Sequence, residues 1–144
     1  MRDVKTRKAD VLAVLEGQGH YWLATAHDER PHAIGVSAWW TDDQLVVTTL
    51  GTSRTAQNMT PGAQVVLLHG DPGDAVVIYA EVIGGLPAKE AIELAGGFER
   101  AMGWQPGDDS GWTFFRLRPT RIQAFRGYDE IEGRDVMKGG RWLA

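Results

Sequence analysis

Along this chain the spacing of apolar positions switches several times between a helical and an extended period. Val11, Val14 and Leu15, with Leu12 beside them, repeat at helical spacing and predict a short amphipathic opening helix that stops at Gly17. The run HYWLATA then reads as a buried strand, rich in aromatic and β-favouring residues. After the polar turn HDERP, Ile34, Val36, Ala38 and Trp40 alternate with Ala33, Gly35, Ser37 and Trp39, the period of two that a strand imposes. TDDQ turns this strand into LVVTTL and makes a hairpin. A short helix opening at Ser53 is stopped by Pro61 and Gly62, and two further strands, AQVVLLHG and AVVIYAEVIGG, are joined by the turn DPGD.

Pro87 is placed to begin a second, longer helix, with Ala91, Leu94, Ala95, Phe98, Ala101 and Met102 on one face and Gly96 and Gly97 weakening its middle. QPGDDSG forms the longest loop, WTFFRLR resumes a strand before Pro119, and RIQAFRG continues the sheet beyond it. Short antiparallel strands with inserted rather than alternating helices predict an α+β closed β-barrel and not a doubly wound sheet. There is no internal repeat, low-complexity run or linker, and 144 residues suit a single domain spanning 1–144.

Composition narrows the function classes. Hydrophobic residues make up 43% and charged residues 24%, the balance of a globular protein. A formal net charge of -4 and the lack of any basic run argue against a nucleic-acid partner. Without cysteine there is no disulfide framework, thiolate nucleophile or zinc–thiolate site. No apolar run approaches a membrane span and the first ten residues lack an apolar signal region, so the expectation is a cytoplasmic protein with no membrane partner. The four histidines, His20, His27, His32 and His69, have no helical i, i+4 pairing, which argues against a metal site.

The stretch VVTTLGTSRTAQNM carries the most specific candidate chemistry. It runs a β-branched strand into a small-residue turn that gathers Thr48, Thr49, Gly51, Thr52, Ser53 and Arg54. If Thr52 or Ser53 caps the helix, the free amides of its first turn favour an anion, and Arg54 adds a charge-assisted contact to a phosphate. The plainer reading is a cap that holds only its own helix.

Taken in order and at these spacings, YWLAT, RPHAIGVSAWW, LVVTTLGTSRTAQNM, AQVVLL and DAVVIYAEV resemble the flavin-binding split-barrel family, named for pyridoxamine 5'-phosphate oxidase. PTRIQAFRG and GRD resemble its C-terminal segment, so the likeness covers nearly the whole chain. The resemblance implies a six-stranded antiparallel split β-barrel with short flanking helices. It also implies a homodimer with FMN, or alternatively the deazaflavin coenzyme F-420, bound in clefts between subunits. By the same resemblance Thr48, Thr49, Ser53, Arg54, Thr55, Phe125 and Arg134 are the candidate cofactor-binding residues.

This sequence departs from the family's oxidase at several of those positions. Thr55 stands in place of a lysine, Ala33 and Ala38 in place of two basic residues, and Phe125 in place of a tryptophan; Arg134 matches the last arginine only across a one-residue gap. Glu130 and Glu132 fall where an arginine and a histidine grip a substrate phosphate, which argues against pyridoxamine phosphate oxidation itself. His32, at the start of the strand lining the implied cleft, and Trp39 and Trp40 are the candidate substrate-cleft residues; core packing is the alternative for the tryptophans. The function this supports is a flavin- or deazaflavin-dependent oxidoreductase acting by hydride transfer on a small aromatic or conjugated molecule. The alternative is a non-catalytic split barrel that binds flavin, haem or another planar ligand. No catalytic side chain is assigned.

Overall fold

The computed structural model describes residues 1–17 and 19–144. Helix α1 (Val4–Glu16) is followed by strands β1 (Gly19–His27), β2 (Arg30–Thr41) and β3 (Gln44–Leu50), then by the one-turn helix α2 (Arg54–Asn58). Strands β4 (Gln64–Asp71) and β5 (Asp74–Pro87) come next, then α3 (Ile92–Met102) and the 15-residue β6 (Trp112–Arg126). The short strands β7 (Asp135–Lys138) and β8 (Arg141–Trp142) end the fold.

The sheet order is β3-β2-β1-β4-β5-β6-β7-β8, and β3 also pairs with β6. That extra pairing, from Leu45 opposite Leu117 to Leu50 opposite Trp112, closes six antiparallel strands into a barrel and leaves β7 and β8 as an appended hairpin. The architecture is therefore the α+β split barrel expected from the sequence. Closure removes the sheet edges that six short strands would otherwise expose.

The hairpins rest on tight two-residue turns. Asp28 and Glu29 join β1 to β2 and Asp42 and Asp43 join β2 to β3, all four at positive φ, as the right-handed strand twist demands of such turns. Between β4 and β5, Asp71 Oδ1 accepts from the backbone N–H groups of Gly73 (2.7 Å) and Asp74 (3.1 Å). Pro119 lies inside β6, where the β5 pairing shifts register between Tyr79 and Ala80; a residue without an N–H is tolerated at such an irregularity.

The main core joins Val11 and Leu15 of α1 to inward residues of all the long strands, among them Leu23, Leu45, Leu67, Ile78, Leu117 and Ile122. A second cluster packs Ala91, the N-cap of α3, and Ala95 and Phe98 within it against Val46 and Phe114. Gly97 in the middle of α3 has a packing reason. A Cβ there would lie 2.3 Å from the edge of the Trp39 ring, so glycine lets the helix approach the sheet.

Two expectations are corrected. Pro87 ends β5 and leads into a 3-10 turn, Ala88–Glu90, while α3 begins only at Ile92. HYWLATA is a strand buried on one face only: Tyr21 and Leu23 point inward, but Trp22 is 61% exposed.

Arg2 ties the start of the chain to the turn after β6. Its guanidinium reaches both Glu130 carboxylate oxygens (2.6 and 3.2 Å) and Asp10 (2.9 Å), and its backbone N–H donates to Glu130 at 2.7 Å. The backbone N–H of Arg126 adds a further bond to Glu130 at 2.8 Å.

Candidate functional site

The polar turn after β3 is held at both ends. Thr48 Oγ1 donates to the Thr113 carbonyl (3.1 Å), and the Thr49 and Ser53 hydroxyls lie 3.3 Å apart. The Gly51 N–H donates to the Gly111 carbonyl at 2.9 Å, which fastens the turn to the end of the α3–β6 loop. Ser53 is the N-cap of α2, its Oγ accepting from the Ala56 N–H at 3.1 Å. With α2 only five residues long, little helix dipole stands behind the turn, so positive charge there comes from Arg54. Arg54 is exposed and makes no ion pair among the described residues. Thr55 is corrected as a cofactor contact: it is 1% exposed, with its hydroxyl buried and without a hydrogen-bond partner, and it faces the interior beneath α2.

Beside this turn lies a cavity of about 540 Å³ bounded by β1, β2, the end of β3 and the α3–β6 loop. Thr48 and Thr49 open into it, both nearly buried at 6% and 8% exposure. Trp104 and Trp112 form one wall, and Trp22 stands opposite Gly35 in the β1–β2 register on another. A Cβ on Gly35 would meet nothing within 4 Å, so the glycine keeps that surface flat and open. Ser37 Oγ and His20 Nδ1, 3.4 Å apart, supply further polar groups. Tyr21 also borders the cavity; burial pushes its phenol up to about 12, and its hydroxyl has no partner. No Asp, Glu, Lys or Arg lines the space.

The remaining sequence candidates are dispersed. His32 sits on β2 opposite Thr25, outside the cavity lining. Trp39 packs on α3 and the second core cluster. Trp40 packs on the main core and borders a separate groove with Trp142. Neither tryptophan lines the cavity beside Thr48 and Thr49, and each, half-buried, packs against a core cluster. Phe125 lies opposite Ala75 of β5, which in turn pairs with Gly70 of the cavity lining. Arg134 folds back on its own turn, its guanidinium donating to the Ile131 carbonyl at 2.8 Å.

Glu130 is corrected as well. Its carboxylate is 2% exposed and neutralised by Arg2, which holds it down at about 2; it does not face a substrate. Sequence reasoning misses Trp22, and it marks Trp104 and Trp112 only as tryptophans beyond what one small core needs, suited to an interface. Strict alternation along β1 puts Trp22 opposite to Tyr21 and Leu23, the signal that was available.

Fold and cavity together define a split barrel with an aromatic, uncharged pocket beside a hydroxyl- and arginine-bearing turn. Comparison with solved structures finds the same fold in several proteins. An F420 reductase is 19% identical, covering 76% of this chain and 93% of its own, with a TM-score of 0.61. A protein from Clostridium acetobutylicum related to general stress protein 26, of the pyridoxinephosphate oxidase family, is 13% identical over 88% of this chain and 92% of its own, at TM-score 0.63. A FAD-binding protein from Mesorhizobium loti is 17% identical over 80% and 89%, at TM-score 0.58. The likeness is one of fold. No family model and no curated protein matches the sequence.

Proposed function

We propose that this protein is an oxidoreductase that binds FMN or the deazaflavin coenzyme F-420 and acts on a small conjugated substrate as a homodimer. The observation that carries the reading is the uncharged aromatic cavity joined, through the Thr49–Ser53 hydroxyl pair, to a turn whose Arg54 makes no ion pair among the described residues. Such a donor set suits a cofactor with a planar ring and a phosphate: hydroxyls and a guanidinium for the anion, aromatic walls for the ring. When bound, the cofactor supplies hydride transfer. The chain's part is to fix the phosphate at Ser53 and Arg54, keep water from the ring with Trp22, Trp104 and Trp112, and offer hydroxyl and imidazole hydrogen bonds from Ser37 and His20.

A homodimer is supported by the exposed apolar outer face of the sheet. The outer face of β2, β1, β4 and β5 offers the contact: Gly35, Trp22, Leu68 and Val77 form one row across the register, flanked by Ala33, Ala24 and Val66. Trp22 and Leu68 remain 61% and 39% exposed in the single chain.

Pyridoxamine phosphate is not the substrate in this reading, because the cavity has no cation left over for a second phosphate. Its scarcity of charge keeps open a second role, storage of a planar ligand without turnover. Titration of the purified protein with FMN and with F-420, followed by absorption spectroscopy, tests the cofactor. Oxidation of the reduced complex by a quinone separates enzyme from storage protein. Failure of both cofactors to bind at 100 µM, roughly the weak limit for a functional cofactor site, overturns the proposal.

A further inference from the structure

Trp104 and Trp112 stand edge to face, ring centroids 6.0 Å apart and planes at 85°. Trp104 is itself braced by Phe98, 5.4 Å away at 88°, and Phe98 is fully buried against Phe114. The pair is therefore anchored to the second core cluster and not carried on a free loop. The loop between them starts at Gly103, the left-handed C-cap of α3, and ends at Gly111, also at positive φ, whose carbonyl holds the Gly51 N–H. Yet Trp104 remains 40% exposed, and both rings line the cavity. An indole held this firmly, with a face left open to an uncharged space, is preorganised to stack on a flat ring without losing side-chain freedom.

Four other grooves differ in kind. Each carries ionised side chains: Asp42 and Arg118 in one, Lys89 and Asp108 in another, Glu90 and Arg116 in a third, Arg2 and Asp10 in the last. A lining without Asp, Glu, Lys or Arg offers an anionic or cationic ring substituent no countercharge.

We propose that Trp104 and Trp112 form the specificity wall of this cavity and that it selects uncharged, planar, conjugated rings of the quinone or isoalloxazine type. The proposal rests on the reading of the cavity as the ring site, and its test uses binding, not turnover. Riboflavin and 2-methyl-1,4-naphthoquinone, neither with a phosphate, are titrated by calorimetry into the parent protein and into Trp104→Ala, Trp112→Ala and Trp104→Phe, with thermal melts run in parallel to exclude unfolding.

Each alanine variant should bind both rings roughly tenfold more weakly, the loss expected for one aromatic stacking partner. Trp104→Phe should stay within about threefold of the parent, since a ring on the Phe98 brace still stacks. The 2-sulfonate of the same naphthoquinone core should bind at least roughly tenfold more weakly than the neutral quinone, because the cavity lining holds no countercharge for it. Folded alanine variants with parental affinities overturn the wall, and equal binding of the sulfonate overturns the selection for neutral rings. Quinone binding that depends on the tryptophans, in a parent that binds neither riboflavin nor FMN, leaves the wall standing and removes the flavin cofactor. A parent that binds none of these rings overturns both.

Discussion

The Gly51 N–H donates to the Gly111 carbonyl at 2.9 Å, and this one bond couples the Ser53–Arg54 turn to the loop that carries Trp104 and Trp112. The approach is close because position 51 has no side chain: a Cβ there would lie 3.0 Å from both the Gly111 oxygen and Thr113 Oγ1. Gly51→Ala should therefore push turn and loop apart, costing about 1–3 kcal/mol of stability as other overpacked sites do. It should also weaken FMN, which uses both elements. Urea unfolding and an FMN titration measure the two effects, and an unchanged unfolding midpoint would show that the junction has room to spare.

Arg54 is the one positive charge at the turn, since Thr55 faces inward and Ala33 and Ala38 are uncharged. A charge-assisted hydrogen bond contributes about 1.5–3 kcal/mol. Arg54→Ala should thus weaken FMN roughly tenfold to a hundredfold. Riboflavin, which has no phosphate, should lose far less. Parallel dissociation constants for the two ligands decide the matter; a parental FMN affinity in the variant would leave Ser53 as a helix cap and nothing more.

Trp22 is the natural place to test the dimer. It lies mid-row on the outer face between Gly35 and Leu68, with most of its ring in solvent in the single chain. Burying such a side chain in an interface contributes several kcal/mol at hot-spot positions, and an ionised carboxylate in its place would have to be desolvated. Sedimentation of the parent should show a dimer at micromolar concentration, and Trp22→Glu should shift it to monomer with its melting temperature little changed. A parent that sediments only as monomer would remove the interface.

The barrel was legible because its signals are local. Period-two alternation, the acidic two-residue turns at Asp28–Glu29 and Asp42–Asp43, and the Ser53 cap each act within a few residues. What escaped was set by contacts distant in sequence. Trp39 reads as a cleft residue until α3 is seen to lay Gly97 on its ring, 58 positions away. Glu130 reads as a substrate-facing acid until Arg2, 128 positions earlier, closes on it. Trp104 and Trp112 stand out by type alone, but their role depends on a loop with no periodicity, whose ends are fixed by Phe98 and Gly51.

The buried Arg2–Glu130 pair makes a prediction about acid stability. Hydrogen bonds from the Arg2 side chain, then from the backbone N–H groups of Arg2 and Arg126, outweigh the cost of burying the Glu130 carboxylate and hold it at about 2, below its ordinary 4.5. A carboxylate depressed in the folded state adds stability at every pH above its unfolded value and loses that contribution as it is protonated. The gain from Glu130 should therefore be complete above pH 4.5 and fade as the pH falls towards 2. Glu130→Gln keeps the size of the side chain but leaves Arg2 with Asp10 as its remaining acidic partner, so at neutral pH it should cost roughly 2–3 kcal/mol, the worth of charged hydrogen bonds at a buried site. Between pH 4.5 and 2 the difference between parent and variant should shrink. Urea midpoints at pH 7, 4.5 and 3 measure this, and a gap that stays constant down to pH 3 would mean that Arg2 holds this turn by shape and not by charge.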